Sequence, residues 1–252
     1  MTGKKTYFVS DVHLGAPALN NNREREKLFV SWLDQSAEDA GELFLLGDIF
    51  DFWYEYKKVA PRGFVRTLGK IAELTDKGIV VHFFTGNHDV WVYDYLPSET
   101  GVIVHREPFV KTINNKVFFL AHGDGLDPSE KGYLLLKKLF TSKLAQFLFS
   151  RLHPNFAFWL GHQWSKKSRI SKGLGPETSK GVEHESVVNF AKEHIKNNEI
   201  DYYIFGHRHI LLDEKIKNST RVLILGEWIN FYSFAVFDGE NLALKKFNNY
   251  SL

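Results

Sequence analysis

Short apolar runs alternate with polar stretches along the chain, and several of these runs end in Asp, Asn or His. The runs read TYFVSDVH, ELFLLGD, VVHFFTGNHD, KVFFLAHGD and YYIFGHRH. Each has the length and residue types of a buried strand that delivers polar residues at its end. Between the first three lie two segments with apolar residues at helical spacing, 23–37 and 63–77. This β-α-β-α-β order predicts parallel strands joined by crossover helices.

The second half of the chain reads as further strands and one helix. FVKTINNKVFFL predicts a hairpin around Asn114 and Asn115. Residues 211–247 predict strands that are broken at 217–220 and at 238–241, and residues 182–196 predict a helix that packs on the core. We therefore expect an α/β fold with a mixed sheet, or two packed sheets, flanked by helices.

Composition narrows the class of protein. The 252 residues are 44% hydrophobic and 25% charged, which fits one main globular core and excludes disordered and fibrous chains. The absence of cysteine excludes disulfides, thiolate catalysis, Cys-type zinc sites and iron–sulfur clusters. The first apolar stretch is too short for a signal peptide or a membrane span, so we expect a cytoplasmic chain without a spanning helix.

One segment, residues 131–176, departs from the rest in charge. It contains nine Lys or Arg, eight aromatic residues and no Asp or Glu. Because the whole chain carries +2 and this segment contributes +9, the remainder carries −7. We call it the basic segment and expect a helical insertion or lid. Its mixture of basic and apolar side chains suits an anionic amphiphile.

Five polar clusters follow the predicted strands. They are D-x-H at 11–13, G-D-x-x-D at 47–51, G-N-H-D at 86–89, H-G-D at 122–124 and G-H-x-H at 206–209. Ligands of α/β sheets gather at the carboxyl ends of strands, and alternation along a strand puts residues i and i+2 on one side. Oxygen and imidazole donors without sulfur suit Mn²⁺, Fe or Zn²⁺, and this number of donors can hold two ions.

Each cluster taken singly has an ordinary structural interpretation. Asp-x-His can be a turn carboxylate beside a buried histidine, and the Gly-Asp and Gly-Asn pairs can be plain turns. Several buried carboxylates and imidazoles together would be costly as packing alone, whereas metal ions neutralise that charge. Four other histidines are expected to be structural, with His82 inside a strand, His105 after one, and His184 and His194 on a helix, whereas the pattern leaves His153 and His162 of the basic segment open.

The ordered set of motifs resembles the calcineurin-like metallophosphoesterase superfamily. Within it, SDVHLG, LGDIFDFW and HGDGLD followed by Gly132-Tyr133 are similar to the UDP-2,3-diacylglucosamine diphosphatase family of lipid A synthesis. The resemblance implies a four-layer αββα fold with two metal ions, usually Mn²⁺, and a helical lid for acyl chains, here within 131–176. It places Asp11, His13 and His209 on one metal, Asn87, His122 and His207 on the other, and Asp48 between them.

Catalytic and substrate contacts are expected around the same motifs. The lipid A enzymes commonly carry Arg after the Asn of the third motif, and this chain has His88 there, as other members of the superfamily do. His88 is expected to stabilise the phosphate charge or to protonate the leaving oxygen, with Asp89 orienting it. The expected substrate-binding residues are Asn87, His88, Glu130, Arg169, Lys172 and His207.

Three functions follow from these features. The first is hydrolysis of the pyrophosphate of UDP-2,3-diacylglucosamine by metal-activated water, giving UMP and 2,3-diacylglucosamine 1-phosphate. It implies an anionic membrane surface as partner, on the inner face of the inner membrane, and no nucleic acid. The second keeps the dimetal site for a soluble nucleotide, a phosphoprotein or a nucleic-acid phosphodiester. The third is a noncatalytic scaffold. The presence of all seven expected metal ligands argues against it.

Overall fold

The computed structural model describes residues 4–128, 131–172, 181–217 and 219–247, and does not describe the side chains of residues 168, 169, 171 and 172. The strands are β1 (Lys5–Val9), β2 (Ala40–Leu46), β3 (Val80–Phe84), β4 (Ile103–His105), β5 (Phe109–Ile113), β6 (Lys116–Ala121), β7 (Tyr202–Phe205), β8 (Leu211–Lys217), β9 (Thr220–Leu225), β10 (Ser233–Phe237) and β11 (Leu242–Lys246). The helices are α1 (Asn22–Ala37), α2 (Val65–Asp76), α3 (Tyr95–Thr100), α4 (Lys131–Thr141), α5 (Lys143–Phe149), α6 (Pro154–Lys172) and α7 (Ser186–His194).

The described strands form two mixed sheets. The first has the order β11-β10-β1-β2-β3-β4, and the second has the order β5-β6-β7-β9-β8. Strands β1 to β4 are parallel, as are β6, β7 and β9, while the remaining pairs are antiparallel. The parallel β1-β2-β3 unit and the hairpin of β5 and β6 confirm the expected topology. The carboxyl ends of the central strands of both sheets thereby become available for one site.

The two sheets pack face to face, with helices on both outer faces. The core between the sheets contains Phe8 and Phe44 from the first sheet and Phe118 and Leu223 from the second. Helices α1 and α2 cover the first sheet in a core that includes Trp32, and α7 covers the second sheet. Because both faces of the central strands are buried, β1 and β7 read as continuous apolar runs rather than as alternating ones. The α/β expectation and its four αββα layers are confirmed.

Helix boundaries differ from the sequence expectation at two places. Helix α2 begins at Val65, because Phe64 before it has a left-handed backbone with φ of 59°. The helix expected over 182–196 is a 3-10 turn, Val182–His184, followed by α7. The break lies at Glu185, whose extended backbone ends the turn and whose carboxylate accepts a hydrogen bond from Arg208 Nε at 2.8 Å. Local backbone conformations that apolar spacing does not report set both boundaries.

The packing between the sheets predicts a large cost for losing one ring. Phe118 is fully buried and contacts the rings of Phe8 and Phe237, with centroids 5.7 and 5.1 Å away. We expect Phe118→Ala to lower the free energy of unfolding by about 3–5 kcal/mol, since it removes buried surface and leaves a cavity. Urea unfolding measures the change. Val110→Ala, on the exposed side of the same hairpin, is the control and should cost under about 1 kcal/mol; equal losses in the two variants would contradict the inter-sheet core.

Candidate metal centre

The polar clusters of both sheets meet at one edge of the sandwich. The seven expected ligands follow five strands, with Asp11 and His13 after β1, Asp48 after β2, Asn87 after β3, His122 after β6, and His207 and His209 after β7. Within the first sheet, Asp11 N donates to Gly47 O at 3.1 Å. Between the sheets, His207 N donates to Asp11 Oδ2 at 2.9 Å. The two sheets therefore contribute to a single site.

Two of the motif glycines are required by close approach. A Cβ atom at Gly86 would lie 2.2 Å from Asp48 Oδ1, and one at Gly206 would lie 2.6 Å from Asp11 Oδ2. Real Cβ atoms do not come this close to other heavy atoms, so any larger residue would displace a carboxylate of the site. The glycines of G-N-H-D and G-H-x-H thus hold open the space that the aspartates occupy.

Four of the expected ligands have left-handed backbones, a conformation that residues other than glycine rarely adopt. The φ angles are 55° at Asp11, 47° at His13, 54° at Asp48 and 63° at His207. Such conformations cost on the order of 1–3 kcal/mol each and cluster at functional sites. Here they turn each side chain sharply at the end of its strand and aim it at its neighbours.

The first group of donors is Asp11, His13 and His209, whose ligand atoms lie within 4.8 Å of one another. Nε2 of His13 is 3.2 Å from Nε2 of His209. Asp11 Oδ1 is 3.6 Å from Nε2 of His13 and 3.3 Å from Nε2 of His209. Two imidazole nitrogens and a carboxylate that converge in this way suit a single cation.

The second group is Asp48, His122 and His207. Asp48 Oδ2 is 3.4 Å from His122 Nε2, and His207 Nδ1 is 2.9 Å from Asn87 Oδ1. Asp48 Oδ2 is also 3.8 Å from His13 Nε2 in the first group. The structure therefore brings together all seven residues of the expected set, with Asp48 between the two groups.

The chemistry of these donors fits two cations. Asp11 Oδ1 and His122 Nε2 are buried, and neither has a hydrogen-bond partner within the described ranges. Burial, with the positive charge of His122, lowers the pKa of His207 to about 4, so that its ring is neutral at pH 7, the state in which imidazole binds metals. Burial and the charge of Asp48 raise the pKa of Asp89 to about 7. Added positive charge would lower the free-energy cost of burying several carboxylates close together.

His88 and Asp51 extend the site. His88 Nδ1 lies 2.8 Å from the backbone oxygen of Asp51, so Nδ1 carries the proton of this hydrogen bond. The Asp51 carboxylate lies 3.4 Å from His13 Nδ1 and accepts a hydrogen bond from Ser165 of α6. His13, Asp51 and His88 form a third group able to hold a cation. Asp51 is not among the ligands expected from the sequence, although its place in G-D-x-x-D, three residues after Asp48, is a signal for it.

The expected role of Asp89 is wrong. The fully buried Asp89 carboxylate accepts hydrogen bonds from backbone N–H groups, from Gly86 at 2.7 Å and from Ile49 at 2.9 Å among others. It therefore ties the loop after β3 to the loop after β2. His88 points instead at Asp51, so Asp89 does not orient the His88 ring. A buried carboxylate surrounded by backbone donors is a positioning group rather than a proton-transfer group.

Three expected substrate contacts fall outside the description. Glu130 lies in a gap of the described residues, and the side chains of Arg169 and Lys172 are likewise outside it. Of the remaining expected contacts, Asn87 and His88 line a pocket next to the donor groups.

The basic segment is joined to the H-G-D motif. Asp124 accepts a hydrogen bond from the Tyr133 hydroxyl at 2.7 Å and pairs with Lys137 Nζ at 2.8 Å. Lys137 Nζ also donates to the backbone oxygen of Asp124 at 3.0 Å. Helix α4 is thus anchored at Asp124, two residues after His122. Lys137, one of the cations of the basic segment, thus serves an internal contact.

A pocket of about 990 Å³ runs from the donor groups along the helices of the basic segment. Asn87, His88 and His122 line it near the donor groups. Apolar residues from all three helices line it as well, among them Leu136, Phe140, Phe149 and Trp164. An elongated site of this kind can hold a polar group beside metal ions and a long apolar group beside the helices.

Large apolar side chains are exposed on the same helices. Leu135, Leu139 and Leu144 are all exposed, Leu135 at 72% and Leu144 at 67%. Phe147 and Trp159 are also exposed. Exposed apolar surface of this extent marks an interaction site. Among the helices described, none combines the length and apolarity that crossing a membrane requires.

The packing at Gly86 predicts how a single methyl group affects metal binding. Gly86→Ala places a Cβ against Asp48 Oδ1, and we expect Mn²⁺ affinity to fall at least about tenfold, as for other perturbations next to metal ligands. Calorimetric titration of the metal-free protein measures the change. Gly69→Ala in α2, where the Cβ meets no heavy atom within 4 Å, is the control. Unchanged affinity in a folded Gly86→Ala protein would remove Asp48 from the metal site.

Comparison with known proteins agrees with this geometry. The family model for calcineurin-like phosphoesterases matches residues 4–211. A protein of Porphyromonas gingivalis named UDP-2,3-diacylglucosamine hydrolase is 43% identical, covering 96% of this chain and 97% of the relative. Proteins of the same name from Histophilus somni and Haemophilus influenzae are 28% and 27% identical, over 89% and 91% of this chain and 92% and 93% of the relatives. The chain belongs to the calcineurin-like phosphoesterase family, as its five polar motifs predict.

Proposed function

We propose that the protein is a dimetal hydrolase that cleaves the pyrophosphate of UDP-2,3-diacylglucosamine to UMP and 2,3-diacylglucosamine 1-phosphate, with metal-activated water as the nucleophile. The observation that carries the proposal is the pocket, which begins at Asn87 and His122 beside the second donor group and continues as an apolar channel along α4, α5 and α6. A pyrophosphate needs the metal donors at one end of the pocket, and two acyl chains need the apolar channel. A soluble nucleotide, a phosphoprotein or a nucleic acid would not use the apolar part.

The relatives support the same substrate. The protein of Porphyromonas gingivalis named UDP-2,3-diacylglucosamine hydrolase is similar over nearly the whole of both chains, so the similarity includes the basic segment as well as the metal motifs. Specificity lies in sites rather than in folds, and the basic segment carries much of this pocket. The names of the relatives therefore favour the lipid nucleotide over the alternative substrates.

The seven ligands would hold two divalent ions, with Asp11, His13 and His209 on one, Asn87, His122 and His207 on the other, and Asp48 between them. When bound, such ions lower the pKa of a water and neutralise the charge that develops on the phosphate. Mn²⁺ is the proposed ion, with Fe and Zn²⁺ as alternatives, because the donors are nitrogen and oxygen.

The chain's own residues bind and orient the phosphates. His88 holds a proton on Nδ1 through its hydrogen bond to Asp51 O, which leaves Nε2 to accept or, in the cationic ring, to donate to a phosphate oxygen. Asp51 and Asp89 fix the loops that carry this ring. We place Glu130, Arg169, Lys172, Asn87 and His207 among the groups that contact substrate. Attack of water on either phosphorus expels the other half of the pyrophosphate as a phosphate monoester, which departs without much protonation, so protonation of the departing oxygen adds little to the rate.

The basic segment, 131–176, would form a helical lid over the acyl chains. Its described helices contribute the apolar wall of the pocket and, outside the pocket, exposed apolar and basic side chains, including Phe147, Trp159 and Lys138. We propose that this outer surface binds anionic lipid headgroups and the upper part of the acyl layer, which places the protein peripherally on the cytoplasmic face of the inner membrane. A lipid substrate would then enter from the surface on which the enzyme rests.

The proposed reaction is tested with purified protein, Mn²⁺ and UDP-2,3-diacylglucosamine in ¹⁸O-labelled water. Phosphorus NMR should show UMP and the sugar 1-phosphate, with label in UMP if water attacks the uridine-side phosphorus. We expect Asp48→Asn to lose at least about 10³-fold in kcat, because a buried ligand of both ions is lost, and His88→Ala to lose about tenfold.

Asp213→Asn is the matched control for these variants. It neutralises one carboxylate at the exposed ion pair with Arg221, on β8 and away from the donor groups, and should leave kcat unchanged. Failure of the parent chain to turn over the lipid nucleotide under Mn²⁺, Fe²⁺ and Zn²⁺ would rule out the substrate.

Membrane association is tested by co-sedimentation with vesicles of phosphatidylglycerol and phosphatidylcholine. We expect Phe147→Ser with Trp159→Ser to reduce the bound fraction severalfold, because two exposed rings lose their favourable transfer into the acyl layer. Val65→Ser with Val110→Ser removes exposed apolar side chains elsewhere and should leave binding intact. Equal binding by the two double variants would rule out the basic segment as the docking surface.

A further inference from the structure

Four polar side chains that the metal centre does not use form a chain of contacts across the strands β2, β3, β4 and β5. The carboxylate of Glu42 pairs with Lys111 and lies 2.7 Å from His82 Nε2. The other ring nitrogen of His82, Nδ1, lies 2.8 Å from Nε2 of His105. The chain therefore runs from an ion pair through a buried histidine to a half-buried one.

The positions of the protons follow from the partners. Burial would raise the pKa of Glu42, but its hydrogen bonds from His82 and Lys111 lower that pKa, so it is a carboxylate and only accepts. With one proton on each ring, His82 then donates from Nε2 to Glu42 and accepts at Nδ1. Burial lowers the pKa of His105 to about 4 and keeps this ring neutral at pH 7. His105 therefore carries its single proton on Nε2.

The remaining nitrogen of His105, Nδ1, takes no part in this chain of contacts. His105 is one of the residues that line the pocket, and its Nδ1 is not among the buried unsatisfied atoms. Within the described ranges, no hydrogen bond involves this nitrogen. The rings of Phe84 and Phe109 pack against the imidazole of His105, with centroids 4.6 and 4.5 Å away, and restrict its orientation. The pocket thus contains a fixed ring with an unprotonated nitrogen.

We propose that Glu42 and His82 lock His105 in the tautomer that presents Nδ1 to the pocket as a hydrogen-bond acceptor, and that this nitrogen selects substrates carrying an O–H or N–H donor at that place. This inference rests on the proposed function and adds a specificity-determining residue to it. His105 contacts the substrate, whereas His82 and Glu42 are positioning residues. The structural role expected for His82 and His105 from the sequence thereby becomes a functional one.

A locked acceptor discriminates more strongly than a free histidine. A neutral histidine in water exchanges between two tautomers and can offer either a donor or an acceptor, whereas a locked one rejects an acceptor on the ligand. A site built to hydrogen-bond one group also penalises ligands that leave it unpaired. Since the contact is made in bound substrate and in the transition state alike, its loss affects KM rather than kcat.

The kinetic test compares His105→Phe, which keeps a ring between Phe84 and Phe109, with His82→Phe, which keeps the acceptor but removes the lock. We expect His105→Phe to raise KM for UDP-2,3-diacylglucosamine about 5- to 10-fold with kcat within twofold, and His82→Phe to raise KM about 2- to 3-fold. His194→Phe, which removes a partly buried histidine on the outer face of the second sheet, is the control and should leave KM unchanged. Circular dichroism verifies that each variant folds.

Inhibition by the two products shows which half of the substrate carries the donor. If His105→Phe raises the inhibition constant of UMP alone, the hydrogen-bond donor lies on the nucleotide. If it raises the inhibition constant of 2,3-diacylglucosamine 1-phosphate alone, the donor lies on the acylated sugar. A KM within twofold of the parent value, with both inhibition constants unchanged, overturns the inference and leaves the proposed function standing.

Nitrogen NMR of ¹⁵N-histidine-labelled protein tests the lock without any turnover. His82 and His105 should each be protonated on Nε2 only, and His82→Phe should return His105 to a mixture of tautomers. A proton on His105 Nδ1, or a doubly protonated His82, overturns the inference. Absence of turnover by the parent chain would instead overturn the proposed function, so the two failures are distinct.

Discussion

Burial of carboxylates and imidazoles at one edge of two packed sheets is the constraint on which the rest of the structure depends. Asp11 and Asp48 are nearly inaccessible to water, and the backbone at both is left-handed. Both burying a carboxylate and straining its backbone cost free energy, and Asp11 Oδ1 has no hydrogen-bond partner among the described residues. Divalent cations would offset this cost, so stability and chemistry at this edge are linked through one bound species.

Much of the fold can be predicted from the sequence, because the apolar runs indicate which segments form buried strands. The runs that end in Asp11 and Asp48 predicted parallel strands, and the turn residues Asn114 and Asn115 predicted the hairpin between β5 and β6. Boundaries were harder to predict, since the left-handed Phe64 and the extended Glu185 leave no mark in apolar spacing.

In the candidate site, motif spacing predicts the positions of the ligands but not the hydrogen-bond partners of the side chains around them. The seven proposed ligands were found because each follows a strand in a motif. The role of Asp89 was wrong, because adjacency to His88 in the sequence does not reveal that its carboxylate turns toward the backbone of Ile49. The His82 and His105 pair was read as structural, since a hydrogen bond between residues 23 positions apart requires the pairing of β3 with β4.

The helices of residues 131–172 hold to the metal loops by polar contacts at two aspartates. Tyr133 and Lys137 bind Asp124, and Ser165 binds Asp51, which lies beside His13. The positions of these helices and of the loops are therefore coupled. A chimaera that grafts the corresponding helices of a relative onto this sandwich would have to carry matching partners for Asp51 and Asp124, or the transplanted element would disturb the loops it was meant only to cover.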